Sequence, residues 1–306
     1  MFATVDEVQQ QFKNARYIAN RRICTVIYLA ERMGRPVLIE GPAGVGKTEL
    51  AKTLADVTER RLIRLQCYEG LDEGKALYEW KYAKQLLYTQ LLRERIGELI
   101  ADAPSLPDAV ARISGQDDAF FSHRFLSPRP LLQAIESPEP VVLLVDEIDK
   151  AEPEFEAFLL EVLSDFQVSV PELGTIKATN VPLVVLTSNN ARELSDGLKR
   201  RCLHLFIDFP PPDEELAIIR LKVPEIPERL ARAVVAVVNK IRALELRKAP
   251  SVSESLDWAR SLVILNAETL DREMVESTLT MLVKHEKDLE RVKGALDKVL
   301  ADLPQA

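Results

Sequence analysis

Short apolar runs alternate with longer amphipathic stretches along the chain, and the runs cease after residue 210. Residues 36–40 (PVLIE), 62–66 (LIRLQ), 141–145 (VVLLV), 181–186 (VPLVVL) and 203–207 (LHLFI) are too short for helices and read as buried strands. Between them lie helical patterns over residues 5–33, 48–60, 73–103 and 153–165. In the first, Ile18, Ile23, Val26, Ile27 and Ala30 recur near helical spacing, and Gly34 ends the pattern. Residues 167–170 and 175–178 flank Pro171-Glu172-Leu173-Gly174, which predicts a hairpin. Residues 104–125 fit neither period and read as a partly ordered insertion, with Ser114-Gly115-Gln116 as loop. Apolar strands separated by helices predict a parallel sheet covered on both faces, an α/β sandwich. From Pro210, Pro211 and Pro212 onward only helical patterns remain. That change predicts one α/β domain over residues 1–210 and a small all-helical one over 211–306.

The length of 306 residues suits one large and one small domain, and 47% hydrophobic residues supply a sizeable core. A net charge of -8, from 48 acidic and 40 basic residues, lacks the basic face of a nucleic-acid binder, so no such partner is expected. Cys24, Cys67 and Cys202 are odd in number and far apart, which predicts reduced thiols rather than disulfides or a zinc site. His123, His204 and His285 share no ligand-like spacing, and His204, inside an apolar run, reads as a buried histidine. The first residues, MFATVDE, lack the basic start and apolar run of a signal peptide, and no stretch is apolar enough to span a bilayer. A cytoplasmic protein without membrane contact is the expectation.

The first strand runs into Gly41, Pro42, Ala43, Gly44, Val45, Gly46, Lys47 and Thr48, which fit G-x-x-x-x-G-K-[ST]. Glycines let backbone N–H groups approach a polyphosphate, and the following helix presents its positive end. Lys47 is placed to contact the outer phosphates and Thr48 to ligate Mg²⁺, with Glu49 next in the helix. The motif predicts ATP as the nucleotide, because no N-K-x-D guanine-reading motif exists: Asn239-Lys240-Ile241-Arg242 has the wrong fourth residue. The 141–145 strand ends in Asp146-Glu147-Ile148-Asp149-Lys150. Asp146 suits a metal-holding role, directly or through water, and Glu147 suits polarisation of an attacking water. Asp149 and Lys150 read as a solvated helix cap.

GPAGVGKT, VVLLVDEIDK, VVLTSNN and LKRRC, followed by a helical tail, together resemble the AAA+ ATPases of the MoxR family. The stretches QCYEGLD (66–72), ALYEW (76–80) and PSVSESLDWAR (250–260) are more specifically similar to its CoxD-like branch. The resemblance implies an AAA+ P-loop sandwich with a parallel five-stranded sheet of order 5-1-4-3-2, followed by a small helical lid. It implies that Asn189 is the sensor-1 residue that positions water, and that Arg260 is the sensor-2 arginine. It implies an arginine finger in Lys199-Arg200-Arg201, either Arg201 or its neighbour Arg200, acting on the next subunit's nucleotide in a ring, most commonly a homohexamer. Residues 70–82 fall where the family has its helix-2 insertion, and the 171–174 hairpin where it has the pre-sensor-1 insertion. Tyr78, Trp80 and Tyr82 are candidate contact residues there; the helical spacing of Leu77, Trp80 and Lys84 offers packing for Trp80 instead. The implied function is ATP-driven remodelling of a protein client, with a von Willebrand factor A domain partner and a link to metalloenzyme maturation. A nucleic-acid motor or loader built on the same core is the alternative.

Overall fold

The structure, a computed structural model, describes residues 2–108, 110, 124–171 and 173–301. It opens with helices α1 (Val5–Asn14) and α2 (Arg21–Met33), strand β1 (Val37–Glu40), helix α3 (Lys47–Val57) and strand β2 (Arg61–Gln66). Next come α4 (Glu73–Leu77), β3 (Tyr78–Trp80), α5 (Tyr82–Leu91), α6 (Arg93–Ile100), β4 (Leu126–Pro128) and α7 (Pro130–Ile135). The central stretch holds β5 (Val141–Asp146), a 3-10 turn (Ile148–Lys150), α8 (Pro153–Asp165), β6 (Gln167–Val170), β7 (Gly174–Lys177), β8 (Leu183–Ser188), α9 (Asp196–Arg201) and β9 (Leu203–Phe206). Helices follow: α10 (Pro212–Lys222), α11 (Glu228–Arg242), α12 (Val252–Ile264), α13 (Arg272–Thr278), α14 (Glu286–Gly294) and α15 (Leu296–Leu300).

The main sheet has five strands in the order β2-β5-β8-β1-β9. Every pairing in it is parallel, with Gln66 opposite Asp146 and Glu40 opposite Ser188 and Phe206. Counted along the chain this is 5-1-4-3-2, the order that the resemblance implies. One face, with Val142, Leu144, Val37 and Ile39, packs on α1, α2 and α3; the other, with Leu143, Val145 and Val184, packs on α7 and α8. The helices after Pro212 enclose a separate cluster around Val234, Val238, Trp258 and Leu262. Trp258 is fully buried and its Nε1 donates to Thr278 Oγ1 at 2.8 Å.

The structure corrects four details. The helix read over residues 5–33 is two helices: α1 stops at Asn14, Arg16 turns left-handed at φ 60, and Asn20 caps α2 by accepting the Ile23 N–H. The helix read over 73–103 is broken by β3, which pairs antiparallel with β4, Tyr78 opposite Pro128 and Trp80 opposite Leu126. Leu77, Trp80 and Lys84 therefore share no helix face; Trp80 packs on the main core from a strand, and Tyr82 is exposed. His204 is exposed on edge strand β9 and bonds the Glu40 carboxylate. Asp149 is buried rather than solvated. The hairpin forms as β6–β7, with Gly174 at φ 80. Ser114-Gly115-Gln116, His123 and most of the 104–125 segment lie outside the described residues. Burial pushes the Cys24 thiol up to about 11 and those of Cys67 and Cys202 up to about 12, so all three are inert thiols at neutral pH. No helix among the described residues is long and apolar enough to cross a membrane.

Leu144, fully buried at the centre of the sheet, sets the scale of core energetics. Leu144→Ala should lower the unfolding free energy by about 2–5 kcal/mol, whereas Leu91→Ala, on the exposed side of α5, should change it by less than about 0.5 kcal/mol. Urea midpoints of the two variants check the contrast.

Candidate nucleotide site

The loop from Gly41 to Gly46 runs off β1 into α3. Gly41 has φ 149, and a Cβ there would lie 1.9 Å from the Ile207 carbonyl oxygen, whose own N–H is bonded to Glu40. Gly44 has φ 73, and its Cβ would fall 2.3 Å from Ser251 Oγ. Both positions therefore exclude a side chain. The N-terminus of α3 has no side-chain cap, so its first N–H groups are open to an anion.

Lys47 is buried and its ammonium is fully engaged. It donates to Gly41 O at 2.8 Å, to Pro42 O at 2.7 Å and to Asn189 Oδ1 at 2.8 Å. Burial lowers its pKa, and the nearby Asp149, Asp146 and Glu147 carboxylates oppose that shift. Asn189, just past β8, also donates through Nδ2 to Glu147 Oε1 at 3.2 Å. Residues from the loop, the acidic strand end and the next strand thus meet in one hydrogen-bonded line.

Asp146 ends β5 with its side chain 3% exposed. Its Oδ1 accepts Thr48 Oγ1 at 3.1 Å and Thr187 Oγ1 at 2.5 Å. Its Oδ2 accepts Arg64 Nε at 3.0 Å and Arg64 Nη2 at 2.5 Å. The following Glu147 sits in the left-handed region at φ 57, its N–H held by Thr187 Oγ1 at 2.9 Å. A non-glycine residue there costs on the order of 1–3 kcal/mol, and this one turns its carboxylate toward Asn189, Gln66 and Lys150. Asp149 accepts the N–H groups of Asn189 and Ala191 at 3.1 and 2.9 Å, which fixes the loop after β8, and its Oδ1 is buried without a partner. The hydroxyl of Thr48 and the carboxylate of Asp146 form a pair of hard oxygen donors beside the open end of α3, which fits a magnesium ion carried with a polyphosphate.

A cavity of ≈ 620 Å³ adjoins the loop. Gly44, Val45, Gly46 and Glu49 form one wall; Tyr17 and Ile18, Phe209, and Ile218, Leu256 and Arg260 from the C-terminal helices form the others. Burial raises the Glu214 carboxyl there, and Tyr17 is raised by burial as well. The helical region touches the loop directly: Ser253 N–H donates to Gly44 O at 3.2 Å and Lys222 Nζ to Glu49 Oε1 at 2.9 Å. Arg260 reaches the cavity and bonds Asp257 Oδ1 at 3.2 Å.

Arg200 and Arg201 are not brought to this cluster. They close α9 on the surface, where Arg201 Nε donates to Ser164 Oγ at 2.7 Å and the backbone carbonyls of both accept from Arg35. The sequence reading missed Thr187, Arg64, Gln66 and the apolar wall of the cavity. Each of these depends on strand neighbours far apart in the chain. The signal within reach was Arg64 and Gln66, two polar residues on one face of a strand beside the acidic one.

The family model described as "AAA domain (dynein-related subfamily)" matches residues 36–202. The chaperone protein ClpB of Bacillus cereus is 26% identical over 162 residues, covering 52% of this chain and 14% of that one. The chloroplastic ClpB3 of Arabidopsis thaliana is 25% identical over 234 residues, covering 65% of this chain and 20% of that one. The chain thus spans a minor part of the length of these curated relatives. A solved structure of a Thermotoga maritima RuvB mutant superposes with TM-score 0.50 at 16% identity, over 97% of this chain and 79% of that one, a likeness of fold.

The tight approach of Gly44 to Ser251 is open to a direct test. Gly70 also has positive φ, at 79, but open space around it, so Gly70→Ala should cost only the conformational term of about 1–2 kcal/mol. Gly44→Ala should cost about 1–3 kcal/mol more, because a clash is added. Ser251→Gly, a mild change at a helix cap, should bring the Gly44→Ala double variant back toward the Gly70→Ala level. Denaturant unfolding of the four proteins reads the difference.

Proposed function

The chain belongs to the AAA domain family of ATPases, dynein-related subfamily, and from that premise we propose an ATP-driven machine that remodels a protein client. The observation that carries the reading is the hydrogen-bonded line of the Lys47 ammonium, the Asn189 amide and the Glu147 carboxylate. In this reading the phosphates lie along residues 41–48 at the open end of α3, with Glu49 following, and the base enters the cavity between Ile18, Ile218 and Leu256. Lys47 exchanges its bonds to Gly41 O and Pro42 O for phosphate oxygens. Glu147 accepts a proton from the attacking water, and Asn189 holds that water in line. Thr48 and Asp146 would hold Mg²⁺, which supplies charge neutralisation on the phosphates.

Residues 1–210 act as the nucleotide-binding domain and 211–306 as a lid. The separate apolar cluster of the C-terminal helices supports that division. Arg260 serves as the lid's sensor. The exposed arginines at the end of α9 are suited to a neighbouring subunit's site, with Arg201 the finger and Arg200 the alternative, in a homohexameric ring. Similarity to chaperone proteins at low identity supports a protein client. The QCYEGLD and LDWAR stretches support the MoxR family and its CoxD-like branch, and with it a von Willebrand factor A domain partner in metalloenzyme maturation.

Lys47→Ala should abolish ATP binding, whereas Glu147→Gln should bind ATP and lose turnover by a factor of about 10² or more. Equal loss of affinity in both, read by calorimetry, would refute the division of roles.

The finger assignment makes a second prediction. Arg201→Ala and Glu147→Gln proteins, each inactive alone, should regain ATPase activity when mixed, because some sites then join an intact Glu147 to an intact neighbouring arginine. Loss of a finger costs on the order of 10³ in rate, so even partial recovery is measurable. Recovery by Arg200→Ala instead moves the role by one residue, and no recovery in co-assembled rings places neither arginine across the interface.

A further inference from the structure

An ionised carboxylate offers about four acceptor positions. Asp146 has filled all of them from within the protein: hydroxyls of Thr48 and Thr187 on Oδ1, and two N–H groups of Arg64 on Oδ2. A hydrated divalent cation approaching Asp146 brings water protons that need an acceptor, so one donor must withdraw. Thr187 is buried, and its Oγ1 also accepts the Glu147 N–H, so moving it would unseat Glu147. Thr48 lies in the first turn of the helix that follows the phosphate loop and is itself a ligand candidate. Arg64 differs from both. Its side chain is 48% exposed, its stem has several rotatable bonds, and β2 is an edge strand of the sheet. It also has a second anchor, the Gln66 Oε1, to which it already donates.

We propose that Arg64 is a built-in competitor for the metal: its guanidinium pairs with Asp146 Oδ2 and sets the magnesium concentration at which nucleotide binds tightly. The Arg64–Asp146 pair supplies the physical reason. A buried carboxylate without a countercharge is costly, so a resident cation holds the acidic strand end in shape. The same pair must be broken when a metal arrives, and that cost is drawn from metal affinity. Arg64 is therefore a residue that determines metal affinity and does not touch the reacting atoms. The inference rests on the magnesium-nucleotide reading of this site.

The test is a magnesium titration of fluorescent ADP-analogue binding by the full chain, with no turnover involved. Arg64→Met should lower the half-saturating Mg²⁺ concentration on the order of three- to fivefold, the range for a half-exposed ion pair. Arg64→Lys, which keeps the charge, should stay near the wild-type value. Binding in EDTA should not improve in either variant. Arg64→Gln provides a second neutral replacement if thermal melting shows that the methionine variant is unfolded. An unchanged or raised half-saturation in the folded neutral variants overturns the proposal, because Arg64 then supports the metal site or is indifferent to it. A wild-type protein that binds no ADP analogue at any magnesium concentration overturns the nucleotide reading itself, which is a distinguishable failure.

Discussion

The carboxylate of Asp146 lies at the end of a fully buried strand, and a charge in that position is tolerated only when protein donors surround it. The donors come from three different elements: Thr48 from α3, Arg64 from β2 and Thr187 from β8. Strand β5 lies between β2 and β8 in the sheet, so these donors converge only when both parallel pairings are in register. Loss of the half-exposed Arg64 partner costs about 1 kcal/mol or less, and loss of a buried hydroxyl donor such as Thr187 about 1–3 kcal/mol. The sheet order, the start of α3 and the strained turn at Glu147 are thus tied to a single carboxylate. Glu147 shows the tie directly, since the Thr187 hydroxyl that donates to Asp146 also accepts its N–H.

The phosphate loop is confined in the same manner from two sides. Gly41 is pressed against the Ile207 carbonyl beyond β9, and Gly44 against Ser251 at the start of α12. Ser251 caps α12 through a capping box with Glu254, so the contacting residue belongs to a rigid turn. That turn is anchored in turn: Arg242 donates to Pro250 O at 2.8 Å and forms a buried pair with Glu215, which also accepts Ser255 Oγ at 2.8 Å. Helices α10, α11 and α12 therefore meet at one polar knot, and the Phe209 ring stacks on the Arg242 guanidinium at 4.7 Å. Ser251 and Ser253, which lie against Gly44, thus join the phosphate loop to this knot through the start of α12.

The loop, the acidic strand end and the five strands were legible in the sequence because each is a local signal. An apolar run followed by glycines, or by two acids, carries its meaning in consecutive residues. The failures were non-local. The break at Tyr78 is invisible to helical spacing, because what converts residues 78–80 to strand is a partner at residues 126–128, far along the chain. His204 sits in an apolar run that predicts burial, yet the run lies on an edge strand, and edge position is a property of the sheet. Asp149 looked like a helix cap by its place after Glu147; its role is to accept two N–H groups from the loop after β8, which no spacing rule contains. The same holds for Arg64, whose meaning depends on β2 lying beside β5.

The charge arrangement around the loop determines what else the site requires. Lys47 is spent on two carbonyls and Asn189, Arg64 on Asp146, Lys150 on Glu147, Lys222 on Glu49, and Arg260 on Asp257. Each of these five cations has an oxygen partner, while Arg16 and Arg22 also line the adjoining cavity. A polyphosphate brings several negative charges into a space bordered by Asp146, Glu147, Asp149 and Glu49, and its charge is offset by the arginines of the cavity wall, by exchange of existing pairs or by cations that it carries. Lys47 makes the exchange readily, since neutral carbonyls are weaker partners for an ammonium than phosphate oxygens. The other pairs join opposite charges and resist exchange. A divalent cation held by Thr48 and Asp146, as proposed above, would supply charge that these pairs withhold.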